Sequence, residues 1–260
     1  MTNYDMKTSA KQIWASGDCF VTSRHWQWVS EVLCEALDLR ATYHTLDIAT
    51  GNGNTALSAA RRGCTVTAID LTPELLDYAR RRAIAEHLQI DFREEDAENL
   101  SFEDDSFDVV LATFGIISMS ALGEMFRVLK PGGKIGLANW RSDTAIRIND
   151  VFARYVPASP PVPWTNEEGL RELFGDAFRS LTITPKQFFY RFPSATDYVE
   201  KRFAGFGPWK DILTSLASDA AENLKGDLIA EVEKYNISGD ETLVLPQDYL
   251  QIIAEQVNKK

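Results

Sequence analysis

The run Leu46-Asp47-Ile48-Ala49-Thr50-Gly51-Asn52-Gly53-Asn54 sets an acid and two glycines between an apolar stretch and a helical pattern, and Asp70 follows seventeen residues after Gly53. Gly51-Asn52-Gly53-Asn54-Thr55-Ala56 fits the G-x-G-x-x-G/A pattern of nucleotide-binding turns. Its glycines let backbone approach a ligand closely, and the helix that follows presents a positive N-terminus to negative charge. Asp70 ends the apolar run Val66 to Ile69, where a carboxylate accepts both hydroxyls of a ribose. The competing reading makes Asp70 a cap for the next helix, but Thr72 is placed to fill that role. Asp96-Ala97, within Glu94-Glu95-Asp96-Ala97-Glu98-Asn99-Leu100, suits a bond from an adenine amino group. It equally suits a solvated acidic loop.

The elements that must position these residues alternate. Strands are predicted at Tyr43–Ile48, Thr65–Asp70, Ile90–Arg93, Phe107–Thr113 and Lys134–Asn139. Helices are predicted from Asn54 to Arg62, from Pro73 onward with Thr72 as N-cap and Glu74 in the first turn, and over Leu122–Leu129. The last of these stops at Lys130-Pro131-Gly132-Gly133, where proline cannot continue a helix and the glycines turn the chain. Phe107–Thr113 is nearly all apolar, as a parallel strand buried on both faces must be. The rhythm predicts a doubly wound parallel sheet.

Before the first strand, residues 5–40 read as helical, broken at Gly17-Asp18 and marked by Trp14, Phe20, Trp26 and Trp28. This segment either packs on the sheet or forms a lid. Beyond Trp140 the regularity drops. Pro157–Trp164 is rich in proline, Glu167–Phe174 is helical, Arg179–Arg191 alternates as a strand, 196–234 is mostly helical, and a last strand is expected at Tyr249–Val257.

The chain has 260 residues, 27 Lys and Arg against 38 Asp and Glu, and a net charge of −11. The densest basic cluster, Arg80-Arg81-Arg82, is flanked by acids, so no face suits a phosphate backbone and nucleic acid is not an expected partner. No apolar run is long enough to span a bilayer. The N-terminal residues lack a signal core, and three cysteines (Cys19, Cys34, Cys64) without metal-ligand spacing suit a reducing, cytoplasmic compartment with no metal site.

With these residues in view, the chain resembles the class I S-adenosylmethionine-dependent methyltransferases of the small-molecule, ubiquinone/menaquinone-biosynthesis-like type (methyltransferase domain 11/25). The matching segments are Leu46 to Asn54, Asp70, Glu95 to Glu98, Ser106-Phe107-Asp108-Val109-Val110, Thr113-Phe114-Gly115, and Arg127 to Gly133 running into Ile135 to Trp140. Trp14-x-x-Gly17-Asp18 is similar to that group's cofactor lid, and Thr242 to Leu250 to its closing strand. Ala49 stands where the usual turn has its first glycine, a mild change where φ is negative. Cys19 stands where an aromatic is common, and the segment from Gly115 to Lys130 is about four residues short of the family template and lacks the usual acidic-proline element.

The resemblance implies a Rossmann-like, doubly wound seven-stranded α/β sheet with helices on both faces. A helical lid occupies 1–40, a cofactor-binding core 41–140, and helical insertions after strands 5 and 6 lie within 141–260. It implies S-adenosyl-L-methionine as cofactor, with S-adenosyl-L-homocysteine as product. Asp70 would bind ribose and Asp96 with Ala97 adenine, with Leu71 flanking the ring. Gly51, Gly53 and Thr113 would place backbone near the methionyl part, Ala49, Asn54 and Phe114 would also line the cofactor, Asp47 would order the loop or meet the amino group, and Trp14 would close over the cofactor. The acceptor is expected to be a small apolar or aromatic molecule methylated on O, N or C, with Phe152, Tyr155, Trp164, Phe188, Phe189, Tyr190 and Phe192 near it or in the core. His25, beside the lid, is the candidate general base, whereas His44 reads as structural and His87 as solvated. A homodimer is compatible with this reading. The alternatives are a non-methylating cyclisation or elimination on the same cofactor site, or a nicotinamide oxidoreductase, for which no Tyr-x-x-x-Lys pair is present.

Overall fold

The computed structural model describes residues 3–18, 20–115, 118–142, 144, 146–157, 165–175 and 178–257. The apolar runs become strands β1 (His44–Ile48), β2 (Thr65–Asp70), β3 (Ile90–Glu94), β4 (Phe107–Thr113), β5 (Leu129–Trp140), β6 (Phe178–Phe192) and β7 (Leu243–Gln256). They form one seven-stranded sheet in the order β3-β2-β1-β4-β5-β7-β6. The first five pair in parallel, as expected. The sheet is nevertheless mixed, because β7 runs antiparallel to β5, with Trp140 opposite Tyr249. Strand order reverses between β1 and β4, so the carboxyl ends of those strands open the crevice in which such folds bind ligands.

Alternation along β4 shows why helices cover both faces. Val110 and Ala112 join Leu46, Ile48 and Ile135 in a core with Leu122, Met125 and Val128 of α6 (Met119–Val128). Val109 and Leu111 turn the other way, onto Leu33 and Leu37 beside α3 (Gln27–Ala36) and onto Ala56 and Ala59 of α4 (Asn54–Arg61). Helix α5 (Pro73–Ala85) follows β2, and α8 (Glu167–Phe174) adds Leu170 and Phe174 to the α6 side.

Three local expectations need correction. Helix α6 starts at Met119, not Leu122, because Ser118 caps it by accepting from the Ala121 amide at 3.1 Å. Lys130-Pro131-Gly132-Gly133 does not separate helix from strand. It lies inside β5 as an irregularity, where pairing with β4 jumps from Phe107–Leu129 to Val109–Lys134 and Gly132 takes φ +74°. Strand β7 begins at Leu243, ahead of Tyr249.

Contacts divide the chain into two compact units. The sheet unit holds 26–142, 163–186 and 249–260, and the helical unit holds 1–25, 143–162 and 187–248. The helical unit carries α1 (Asn3–Ala15), α2 (Phe20–Ser23), α7 (Ile148–Phe152), α9 (Ala195–Gly205), α10 (Gly207–Ser215) and α11 (Ser218–Glu233). The helices after β5 and after β6 are the expected insertions. Among the described residues, no helix is long and apolar enough to cross a membrane.

The turn after β1 is held by backbone conformations that most side chains resist. Gly53 has φ +86°, and a Cβ there would stand 2.9 Å from that of Ala79. Ala49 has φ +52°, so the condition under which alanine would be a mild substitution is not met. Its methyl is accommodated because Gly115 has no side chain: a Cβ on Gly115 would lie 2.5 Å from the Ala49 Cβ.

Ala49→Gly should therefore stabilise the fold by about 0.5–1 kcal/mol, a rise of roughly 1–4 °C in Tm. Gly115→Ala should destabilise it by about 1–3 kcal/mol, with Ala49→Gly recovering part of that loss in the double variant. Thermal melts of the three variants check the pair, and additive effects would contradict the contact.

Candidate functional site

Strand β1 carries Asp47 to the base of the turn, where the carboxylate is 1 % exposed. Its Oδ2 accepts from Thr50 Oγ1 at 2.5 Å and from the Ala56 amide, in the first turn of α4, at 2.9 Å. Its Oδ1 has no hydrogen-bond partner. Burial raises the carboxyl to about 7, against the two hydrogen bonds that favour the ionised form, and nearby Asp70 adds to the rise. A cation that also donates hydrogen bonds would meet both the missing partner and the missing charge. Beside it, a Cβ on Gly51 would find nothing within 4 Å. An orphaned acceptor beneath an open glycine cradle fits the ammonium and backbone-proximal parts of S-adenosylmethionine.

At the end of β2, Asp70 is also buried, and desolvation raises its pKa. Its Oδ2 accepts from the Gly51 amide at 2.8 Å and its Oδ1 from the Thr72 amide at 2.9 Å, tying the β2 tip to the turn. Each oxygen keeps a further lone pair for a hydroxyl. Thr72 stands at the N-cap of α5 without the expected side-chain cap, and its amide is bonded to Asp70. Leu71 sits half-buried between the two.

Asp96 closes its own turn, with Oδ1 accepting from the Glu98 amide at 2.9 Å and the carbonyl from Asn99. Ala97 packs against the core. The segment behind them is pinned by Arg127 of α6. Its guanidinium donates to the carbonyls of Leu100 and Phe102 while pairing with Glu124 and Asp104, which hold it firmly protonated.

Thr113, at the end of β4, accepts from Thr55 Oγ1 at 2.8 Å. Phe114 follows with φ +58°, its amide bonded to the Ala138 carbonyl. That conformation stacks its ring on Trp140, with centroids 3.8 Å apart and planes 11° apart. Trp26 stands edge-on to both rings, and Tyr249 edge-on to Phe114. Burial pushes the Tyr249 phenol up to about 12, so it is neutral at physiological pH.

Trp14 and His25 belong to the helical unit. Trp14 lies edge-on to Phe206, with centroids 5.3 Å apart. Its companion Gly17 serves packing, because a Cβ there would come 2.3 Å from the Gly205 carbonyl oxygen. His25 stacks on Phe192 at 5.0 Å and meets the edge of Tyr190. Phe152, Phe188, Tyr190 and Phe192 are buried in this unit, Phe189 is exposed, and Tyr155 bonds to Asp227. Cys19 and Trp164 lie outside the described residues.

Two supports of the turn escape the sequence reading. Arg82, read there as part of a basic cluster flanked by acids, reaches from α5 to the turn. Its Nη1 donates to the Asn52 carbonyl at 2.7 Å and to Asn54 Oδ1 at 2.8 Å, and burial lowers its pKa. Ser30 pairs with Thr55 at 2.9 Å, extending the line to Thr113. Arg82 lies 30 and 28 residues from Asn52 and Asn54, and Ser30 lies 25 from Thr55, so neither contact leaves a local signal.

Comparison with known proteins agrees with this geometry. Residues 45–133 match the methyltransferase domain family. The uncharacterized protein Rv1405c of Mycobacterium tuberculosis is 29% identical over 260 residues, covering 95% of this chain and 93% of its own. The demethylmenaquinone methyltransferase of Thermus thermophilus is 40% identical over 115 residues, covering 42% of this chain and 52% of its own. Among solved structures, a phosphoethanolamine N-methyltransferase of Haemonchus contortus, in complex with phosphomonomethylethanolamine and S-adenosylhomocysteine, shares the fold. Its TM-score is 0.62 at 17% identity, covering 100% of this chain and 61% of that one. The buried carboxylate under a glycine turn at the strand-order switch lies within this methyltransferase domain, and domain, relatives and fold together support a methyltransferase that uses S-adenosylmethionine.

Proposed function

We propose that the chain transfers a methyl group to an O, N or C atom of a small apolar or aromatic metabolite, in the cytoplasm. The observation that carries the acceptor class is the uncharged aromatic cluster of Phe114, Trp140, Trp26 and Tyr249, set directly after Thr113 at the carboxyl end of β4. Flat apolar walls of this kind favour an apolar or aromatic group over a polyanion. The acidity of the chain points the same way. Buried free Cys34 and Cys64 accord with a reducing compartment.

Bound S-adenosylmethionine supplies a methyl already activated on a sulfonium, so the residues of the chain have to bind, orient and exclude water. In this reading Asp47 Oδ1 receives the methionyl ammonium, and Ala49, Gly51, Gly53, Asn54, Thr113 and Phe114 bring backbone alongside. Asp70 takes the ribose hydroxyls. Asp96 and Ala97 hold adenine, with Leu71 against the ring. Trp14 closes over the cofactor, and His25 is the base where the acceptor needs one.

Three outcomes follow. Asp70→Ala should weaken S-adenosylmethionine binding at least about tenfold, since a charge-assisted bond contributes roughly 1.5–3 kcal/mol; unchanged affinity by calorimetry in the folded variant would exclude the ribose role. Asp47 must lose its proton before it can pair with an ammonium. Cofactor affinity should therefore rise several-fold as pH rises from about 6 to above 7, where the carboxyl titrates. In the free protein the sign is opposite. The native state holds this proton more tightly than the unfolded chain does, so the contribution of Asp47 to stability falls as pH rises from about 4 to about 7. Asp47→Asn should flatten both slopes, and slopes equal to those of the native chain would contradict the assignment. With an acceptor that must lose a proton, His25→Gln should remove the acidic limb of the pH–rate profile; an unaltered profile clears His25 of that role.

A further inference from the structure

We propose that Arg202 forms a binding site, within the helical unit, for a single carboxylate carried by an apolar or aromatic small molecule. Arg202 lies on α9 and is only 7 % exposed. Its Nε and Nη1 are fully buried and have no hydrogen-bond partner, and no carboxylate pairs with it among the described residues. Its surroundings are rings. The guanidinium carbon stands 4.1 Å from the centroid of Phe206, 4.7 Å from Trp209 and 6.0 Å from Tyr190. Tyr198 is close enough to interact electrostatically, but burial drives its phenol well above the ordinary value, so it stays neutral and supplies no counter-charge. The next residue, Lys201, is satisfied by Asp197 at 2.8 Å.

Ring faces stabilise a guanidinium but accept none of its N–H groups in the manner of an oxygen. A buried cation without a partner is costly, and an anion that accepts its N–H groups removes that cost. The completing group must be an anion that accepts planar N–H donors, for which a carboxylate is suited. The rings around it would contact the apolar remainder of the same molecule. One guanidinium matches one anionic group, and the net charge of −11 argues against a polyanion. This inference goes beyond the reading of the cofactor turn, since it concerns residues of the helical unit alone. It also joins two features that the sequence left apart, because Trp14 packs on Phe206, the ring stacked against Arg202.

The test is calorimetric titration of the full chain with benzoate and, in parallel, with its neutral isostere benzamide. Benzoate should bind at least about tenfold more tightly than benzamide. Arg202→Met should abolish that preference while the melting temperature stays level or rises, because an uncompensated buried charge has been removed. Arg202→Lys keeps a charge without the planar fork and should bind benzoate more weakly than the native chain, which decides the matter should the Met variant fail to fold. Equal affinity for benzoate and benzamide in the native chain would overturn the proposal, as would native benzoate affinity in either variant. S-adenosylmethionine affinity, measured on the same samples, should be unchanged in both variants. Loss of cofactor binding by the native chain itself would instead overturn the functional reading, so the two failures are distinguishable.

Discussion

The site depends on one half-satisfied charge. Strand β1 delivers the Asp47 carboxylate into a place water does not reach, and the turn supplies two donors to one oxygen and none to the other. Such a group is expensive in an apolar interior, and its proton affinity rises accordingly. The fold tolerates it at the strand-order switch, where the first amides of α4 add favourable positive potential. Structure and the proposed function pull in different directions at this residue, and in that proposal the cofactor's ammonium would resolve the difference.

Much of the surrounding structure serves to keep the turn in place. Asp70 ties the Gly51 amide to the tip of β2, Arg82 braces Asn52 and Asn54 from α5, and Thr55 links the start of α4 to Thr113 on β4. Ala49 adopts a left-handed conformation because Gly115 leaves room for its methyl, so two strand ends fit as one surface. Arg127 does for the segment after β3 what Arg82 does for the glycine turn. Strain and desolvation are thus concentrated at the ligand end of the sheet, and rigid supports from three helices contain them.

The part of this architecture legible in the sequence is the part encoded by local pattern. β4 was readable to the residue because seven apolar-rich positions need burial on both faces, and α5 because Pro73 and Glu74 mark a helix start. The turn and Asp70 were readable because glycine and acid spacing reflects backbone geometry. What stayed hidden depends on long-range placement. The left-handed φ at Ala49 is accommodated by Gly115, sixty-six residues away in sequence, and Thr72 gives its amide to Asp70 without capping its own helix. Arg82 looked like part of a basic cluster flanked by acids until the fold set it beside Asn52. Gly17 looked like part of a lid signature, yet its lack of a side chain is required by the carbonyl of Gly205. In the helical unit the aromatic residues were visible, and Phe206 follows Arg202 at helical spacing, but that Trp209 and Tyr190 also surround the charge could not be read from spacing, because they come from other elements.

The central claim is that the orphaned oxygen of Asp47 and the carboxylate of Asp70 together define the cofactor's position. A crystal structure of the chain with S-adenosylhomocysteine tests this most directly. The account predicts the homocysteine ammonium within hydrogen-bond distance of Asp47 Oδ1 and both ribose hydroxyls on Asp70. An ammonium bound elsewhere, with Asp47 Oδ1 still unpartnered, would contradict it.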